Sequence, residues 1–205
     1  MLTKFAFFDF DDTLIHGDSG GKLLKYYLKH PLSVFKLLKV VYHYALYLLK
    51  IEPLNKAKSA WLYPLDKMSD QEIEKFYQEV LEPCYYLNVI EELKKKKAEG
   101  YTIYICSASV EAYLRFCKLP VDEILGTKTD IKDGKYTSQM IGKNCKNEEK
   151  VKRIQKVIKN HNLEIDYDLS YAYSDSLHDI PMLKMVKNRI KIDTKDGHMS
   201  TFEIE

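Results

Sequence analysis

Four groups of polar residues in this sequence combine the side chains that phosphoryl transfer requires. Asp9-Phe10-Asp11-Asp12-Thr13 follows one apolar run, Ser107 follows a second, and Asp175 with Asp179 follows a third. Between the last two groups, Lys150 begins a segment with helical periodicity. Each group alone is an ordinary turn or helix cap. Together, and in this order, they indicate a phosphate site.

The predicted chemistry follows from charge. A phosphate monoester is doubly negative, so a carboxylate can attack it only when a cation screens the repulsion. Mg²⁺ prefers oxygen ligands, which Asp9, Asp175 and a main-chain carbonyl near Asp11 would supply. Attack by Asp9 would form an aspartyl-phosphate. Asp11 would protonate the leaving oxygen and later take a proton from the attacking water.

A serine and a lysine would hold the remaining phosphate oxygens. We expect Ser107 to lie beside the amides of a helix that begins at Ser107-Ala108-Ser109. Lys143, Lys146 and Lys150 are all near enough in sequence to be the lysine. We favour Lys150, with Lys146 second, because apolar residues follow Lys150 at the spacing of a helix face that packs on a sheet. These apolar residues are Ile154, Val157 and Ile158.

Strands and helices alternate along much of the chain. Apolar runs predict strands at residues 4–9, 101–106, 169–173 and 189–192. This alternation favours an α/β fold with a doubly wound, mostly parallel sheet. Ligands of such sheets bind beyond the carboxyl ends of the strands, which is where the polar groups lie.

A long helical segment interrupts this pattern. It predicts an α/β core domain at 1–17 and 84–205, and an inserted helical domain at 18–83. Pro31 suits the first turn of a helix, and Ser69-Asp70-Gln71-Glu72 is a capping box.

Two further local patterns lie in the predicted core. Leu87, Ile90 and Leu93 predict one apolar face of a helix that Gly100 closes. Asp133-Gly134 predicts a hairpin.

Composition excludes several classes of function. The net charge is +2 and the sequence contains three arginines, so nucleic-acid binding is not expected. The four cysteines lack metal-ligand spacing and are expected to be free thiols. No apolar run is long and uncharged enough to span a membrane. Without a signal peptide, the protein is predicted to be cytoplasmic.

The same residues resemble the four motifs of the haloacid dehalogenase (HAD) superfamily. The motifs read Phe7-Phe8-Asp9-Phe10-Asp11-Asp12-Thr13-Leu14, Ile105-Cys106-Ser107-Ala108-Ser109, Lys150, and Ser174-Asp175-Ser176-Leu177-His178-Asp179. The chain looks closest to the phosphoserine-phosphatase-like branch, subfamily IB, which has a Rossmann-like core and a helical cap.

The resemblance implies a Mg²⁺-dependent phosphatase and assigns roles to the matching positions. Asp9 would be the nucleophile and Asp11 the general acid and base. Members that dehalogenate lack a carboxylate at the second position, so Asp11 points to phosphoryl chemistry. The implied metal ligands are Asp9, the Asp11 carbonyl and Asp175, with Asp179 in support. The implied phosphate-binding residues are Thr13, Ser107, Ala108 and Lys150.

The cap leaves the substrate open. Asp18 occupies the position of an acidic residue that binds the amine of phosphoserine in the resembled enzymes, although an N-cap is an equal interpretation. The arginine that would bind the substrate carboxylate is missing, because no arginine occurs between residues 10 and 114. The first hypothesis is therefore a small, phosphoserine-like organic phosphate.

Two other hypotheses remain. One is a membrane-surface phosphatase for a lipid phosphomonoester such as phosphatidylglycerophosphate, suggested by apolar residues 31–51 with a stripe of Lys36, Lys39, His43 and Lys50. We favour instead a helix packed on most sides with one wet edge, so membrane contact is left open. The other is a non-catalytic phospho-ligand binding module, which would have lost a motif carboxylate. The oligomeric state is open.

Overall fold

The computed structural model describes residues 2–28 and 34–204. The predicted helix start at Pro31 lies outside these residues, and so does the side chain of Lys36. Within the described part, no helix is both long enough and apolar enough to cross a membrane.

A six-stranded sheet forms the centre of the fold, in the order β10-β9-β8-β2-β3-β4. Neighbouring strands are parallel except for the β9–β10 pair. The strands are β2 Phe5–Phe8, β3 Thr102–Val110, β4 Glu123–Thr127, β8 Tyr171–Ser174, β9 Asn188–Ile192 and β10 Met199–Thr201. Two smaller pairs are parallel β1 Leu2–Thr3 with β7 Glu164–Ile165, and antiparallel β5 Thr129–Lys132 with β6 Lys135–Met140. The predicted α/β fold with a mostly parallel sheet is confirmed.

Strand β2 shows why the sheet is covered on both faces. Its side chains alternate, so Phe5 and Phe7 enter one apolar cluster while Ala6 and Phe8 enter another. All four are fully buried. A strand that is apolar at every position must lie between two layers, as parallel strands do.

Eight α-helices are present in the described residues. They are α1 Ser19–Tyr27, α2 Val34–Leu48, α3 Leu54–Trp61, α4 Asp70–Phe76, α5 Leu87–Ala98, α6 Glu111–Leu114, α7 Glu148–Asn160 and α8 Ile180–Leu183. Helices α1 to α4 lie between β2 and β3 in the chain. Ser69 caps α4 with the predicted capping box: its hydroxyl accepts from Glu72 N, while the Glu72 carboxylate accepts from Ser69 N.

The β5–β6 hairpin, predicted at Asp133-Gly134, reaches the inserted helices. Ser138 N donates to Asp66 Oδ1 over 2.7 Å, and Met140 N donates to Ser59 Oγ over 3.1 Å. The hairpin therefore packs against α3 and the turn that follows it, although it lies outside the predicted insertion.

Two local predictions are wrong. The chain does not turn into a helix at Ser107 but continues as a strand to Val110, because Val110 pairs with Thr127 beyond a β-bulge. Helix α6 begins only at Glu111. Leu87 does not join the apolar face of α5 but is 76% exposed, whereas Val89, Ile90 and Leu93 are buried.

Helix α2 is more exposed than predicted. We expected this segment to be packed on most sides, with one edge in contact with water. Leu38, Val41, Tyr42 and Leu48 are 58–65% exposed, and among its described side chains Val40 is the one that is buried. His43 is not a free cation on a polar stripe, because its Nδ1 lies 2.7 Å from Glu52 Oε2. The exposed surface of α2 is therefore mainly apolar.

Candidate active site

The predicted site residues meet at the carboxyl ends of β2, β3 and β8, around a cavity of about 200 Å³. Its walls bring together Asp9, Asp11, Asp18, Ser107, Ala108, Lys150, Asp175 and Asp179. Lys146 also lies on the wall, whereas Lys143 does not. The sheet order explains the convergence, because β2 lies between β3 and β8 and the three strands run parallel.

Lys150 is the buried cation of this cavity. Helix α7 carries it, and Ile154 and Ile158 on the same helix are buried in the apolar cluster beneath. The Lys150 Nζ donates to Asp9 Oδ1 over 2.8 Å and lies 2.7 Å from Asp179 Oδ1. Asp179 is held in turn by the Ser174 hydroxyl, 2.7 Å from Oδ2. One ammonium group therefore positions two buried carboxylates.

Burial and charge set the proton affinity of these groups. Burial raises the pKa of Asp9, Lys150 opposes the rise, and the Asp179 and Asp11 carboxylates add to it. Burial by itself would lower the pKa of Lys150, but Asp9 and Asp179 outweigh it and raise that pKa. Lys150 is therefore charged at neutral pH.

Asp11 has its own set of partners. Its Oδ2 accepts from Ser109 Oγ at 2.6 Å, and its Oδ1 accepts from Ser19 N at 3.0 Å. Ser19 Oγ lies 2.6 Å from Ser109 Oγ and 2.7 Å from Tyr113 Oη. Burial and the Asp18 carboxylate raise the pKa of Asp11 to about 6, although the hydrogen bonds from Ser109 and Ser19 act to lower it. A carboxyl group with this pKa can exchange a proton near neutral pH.

Thr13 differs from its predicted role. It is fully buried and is not on the cavity wall; its hydroxyl donates to Asp175 Oδ1 over 3.3 Å and accepts from Asp175 N over 3.1 Å. It therefore orients Asp175 instead of facing a phosphate. Asp18, by contrast, has the N-cap geometry, because its side chain accepts from Gly21 N.

Residues 107 and 108 contribute polar groups from strand β3 itself, and not from the start of a helix. Ser107 is buried, and its hydroxyl accepts from Ser109 N over 3.1 Å. The Ala108 carbonyl accepts from Lys58 Nζ over 2.6 Å, and the same ammonium group donates to Asn144 Oδ1 over 2.7 Å. Lys58 belongs to α3, so it connects the inserted helices to this strand end.

The oxygen donors suit a magnesium ion. No group of three His, Cys, Asp or Glu side chains in the described residues forms a ready metal cluster. Mg²⁺ needs only one or two carboxylates, completed by carbonyls and waters. Asp9 and Asp175 face one cavity, and burial raises the pKa of both. A cation beside them would relieve the repulsion between these carboxylates and their acidic neighbours.

Sequence reasoning missed three groups at this site. Ser109 is part of the second motif but was given no role. Ser19 directly follows Asp18, and Lys58 is one of the 32 lysines and arginines. The hydroxyl groups are close to predicted site residues in sequence, which is the one signal that could have drawn attention to them. Nothing in the sequence distinguishes Lys58.

The fold and the site together define an α/β protein whose polar site residues follow the carboxyl ends of parallel strands. Residues 6–184 match the family of haloacid dehalogenase-like hydrolases. The chain belongs to this family. The predicted membership, and with it the prediction of an enzyme, is confirmed.

Relatives of known sequence or structure agree with this assignment. The chain is 26% identical, over 94% of its length and 91% of the relative, to a histidinol-phosphatase of Neisseria meningitidis serogroup C (strain 8013). A protein of unknown function from Bordetella pertussis Tohama I has the same fold, with a TM-score of 0.77, 22% identity, and coverage of 94% of this chain and 91% of that one. A substrate-bound phosphoserine phosphatase gives a TM-score of 0.65 at 19% identity, with coverage of 94% and 87%.

Proposed function

We propose that the protein is a Mg²⁺-dependent phosphatase that hydrolyses a phosphate monoester of a small organic alcohol. One observation carries this proposal: Asp9 lies at the end of β2, with the buried ammonium of Lys150 2.8 Å from one of its oxygens. Asp11 lies on the wall of the same cavity, held by a separate set of partners. Two carboxylates in different environments can act as nucleophile and as acid.

In this mechanism, Asp9 attacks the phosphorus atom and the ester oxygen leaves with a proton from Asp11. Lys150 holds Asp9 in place and neutralises charge on the phosphate oxygens, and the Ser107 hydroxyl binds another oxygen. Asp11 then takes a proton from water, which attacks the aspartyl-phosphate and releases inorganic phosphate. Asp179 keeps Lys150 in position.

Asp9, the Asp11 carbonyl and Asp175 would hold the magnesium ion. When bound, the ion supplies positive charge that screens the phosphate and lowers the pKa of Asp9, so that the nucleophile is ionised. Thr13 would keep Asp175 turned toward the ion. We further propose that residues 18–83, with Lys58 and Asp18, form a cap over a core at 1–17 and 84–205.

The names of the relatives suggest two classes of substrate. One relative is named for histidinol phosphate and several similar structures are phosphoserine phosphatases. Both compounds carry an amine, and Asp18 is an acidic group at the cavity that could receive one. The proposed substrate is therefore a small amine-bearing phosphate ester.

Replacement of the nucleophile tests the activity. Asp9→Asn should reduce turnover of an aryl phosphate with Mg²⁺ by at least about 10³-fold while the protein stays folded. Full activity in this variant would overturn the proposed nucleophile. If the protein is a non-catalytic binding module, the wild-type protein should show no turnover. The sequence speaks against this alternative, because it retains every motif carboxylate.

The exposed apolar side chains of α2 favour a second candidate, a membrane-surface phosphatase for a lipid phosphomonoester. Large apolar groups next to the exposed Lys39 and Lys50 suit an anionic interface. Sedimentation with phosphatidylglycerol vesicles at low salt tests this candidate. Absence of binding would remove it without affecting the soluble phosphatase.

A further inference from the structure

A second cavity of about 430 Å³ adjoins the phosphate cavity. The two share Asp11, Asp18 and Ala108 on their walls, so a molecule whose phosphate faces Asp9 can extend directly into the second cavity. A volume of this size accommodates a ring and a short chain. This position is where the leaving alcohol of the proposed reaction would lie.

The second cavity has an apolar and aromatic lining. Tyr44 and Trp61 come from the inserted helices, and Tyr113 comes from the core. Leu54, Leu62 and Val110 complete the wall. Trp61 approaches α1 closely because Gly20 has no side chain; a Cβ there would lie 3.1 Å from the indole Nε1. Aromatic walls of this kind favour a flat, apolar group.

The cavity is poorly suited to a carboxylate. Among the described residues on its wall, Lys58 is the one basic side chain, and it already donates to Ala108 O and Asn144 Oδ1. Burial lowers the pKa of Lys58 to about 8, which weakens it further as an anion site. The sequence has no arginine to replace it, since all three are engaged elsewhere. Arg115 pairs with Asp70, Arg153 with Glu149, and Arg189 with main-chain carbonyls.

The boundary between the two cavities is acidic. Asp18 Oδ1 accepts from Gly21 N, whereas its Oδ2 has no hydrogen-bond partner among the described residues. Asp11 lies on the same boundary. A group that sits between the phosphate and the ring would therefore meet the Asp18 carboxylate beside the Asp11 carboxyl group, which favours a cation there.

We propose that the leaving alcohol carries a flat, apolar ring in the second cavity and an amine at Asp18, and that it has no carboxylate. This inference rests on the proposed phosphatase function and separates the two classes of substrate that the relatives suggest. It favours an amino alcohol with a ring over phosphoserine.

Four phosphate esters test the ring, the amine and the carboxylate separately. They are 2-amino-3-phenylpropyl phosphate, 3-phenylpropyl phosphate, 2-aminoethyl phosphate and phosphoserine. The first should exceed each of the others in kcat/KM by about tenfold or more, since a ring or a charge pair contributes on the order of 1–3 kcal/mol. Decyl phosphate is added as a lipid-like ester.

Matched variants locate the ring. Trp61→Ala and Tyr44→Ala should each reduce the ratio of kcat/KM for 2-amino-3-phenylpropyl phosphate over 2-aminoethyl phosphate by about fivefold to tenfold. Tyr42→Ala removes an exposed tyrosine from the same helix, outside the cavity, and should leave that ratio unchanged. An equal loss in the Tyr42 and Tyr44 variants would overturn the assignment of the ring to this cavity.

The outcomes distinguish this inference from the proposed function. If phosphoserine or decyl phosphate is the best substrate, the inference is wrong while the phosphatase activity stands. If no ester is turned over with Mg²⁺, the proposed function fails and the inference fails with it. Histidinol phosphate, a ring-bearing amine without a carboxylate, should rank with 2-amino-3-phenylpropyl phosphate.

Discussion

Ser109 Oγ donates a hydrogen bond of 2.6 Å to Oδ2 of Asp11, and both residues lie on the cavity that adjoins the phosphate cavity. Ser109 is itself buried, with its hydroxyl 2.6 Å from Ser19 Oγ. Asp11 is thus fixed from two sides by the end of β3 and the start of α1. If Asp11 is the general acid, Ser109 is a positioning residue for proton transfer.

Ser109→Ala tests this role through the leaving group. For an alkyl phosphate, whose departing oxygen needs a proton, we expect kcat to fall by about 10- to 100-fold. For p-nitrophenyl phosphate, whose leaving group departs without one, the fall should be less than about threefold. A uniform loss for both esters would show that Ser109 has only a structural role. Ser138→Ala, at an exposed hydrogen bond to Asp66, is a control that should change neither rate.

Lys150→Met should affect both folding and activity. It would leave Asp9 and Asp179 buried together without their shared cation, which costs about 3–5 kcal/mol of unfolding free energy. We expect a lower urea midpoint and a loss of turnover of at least about 10³-fold. Lys146→Met is the matched control, because Lys146 lines the cavity without an ion pair to Asp9. It should retain the wild-type midpoint; equal destabilisation would contradict the role of Lys150.

The pH dependence of protein stability should reveal the raised pKa of Asp11. Its pKa is raised from 3.8 to about 6, so the unfolded carboxyl group ionises at lower pH than the folded one. The contribution of Asp11 to the free energy of unfolding of the metal-free protein should therefore fall as pH rises from about 4 to about 6, and stay low above that range.

Asp11→Asn removes this contribution. Relative to the wild-type protein, this variant should gain about 3 kcal/mol of unfolding free energy as the pH rises from 4 to 7.5, measured by urea unfolding without Mg²⁺. Asp133→Asn makes the same chemical change at an exposed hairpin position and should follow the wild-type curve. A gain for Asp11→Asn that shrinks with rising pH would contradict the raised pKa.

Magnesium should raise the melting temperature of the wild-type protein by a few degrees, because a ligand that binds only the folded state stabilises it. Asp175→Asn should lose most of this shift. Asp168→Asn removes an exposed carboxylate that pairs with Lys187 and should keep the shift. An unchanged shift in Asp175→Asn would show that Asp175 is not a ligand. This measurement does not depend on turnover.

Local patterns accounted for much of the fold and the site. The apolar run before Asp9, the capping box at Ser69 and the face of α7 beneath Lys150 depend on residues close in sequence, and each was predicted. The same holds for the hairpin at Asp133-Gly134, where turn residues determine the geometry.

Contacts between distant residues were not predictable in this way. The strand continues past Ser107 because Val110 pairs with Thr127, a partner 17 positions away on a strand that was not anticipated. Leu87 looks like a core residue by spacing, but α5 presents Val89 to the sheet instead. Thr13 contacts Asp175 because β2 and β8 are neighbours; the sequence predicted that Asp9 and Asp175 would meet, but not this contact of Thr13.

The two hydrogen bonds that Lys58 makes between α3 and the core bear on how long a product stays bound. Its ammonium group joins α3 to Ala108 and Asn144, which are 50 and 86 positions away along the chain. Lys58 also lies on the wall of the second cavity, so a movement of the inserted helices that breaks these two hydrogen bonds would also change that cavity. Detaching this ammonium group means rehydrating a half-buried cation, an event separate from bond cleavage. If the freed alcohol leaves by such a movement, the rate of that movement, and not the rate of the phosphoryl transfer, would limit turnover.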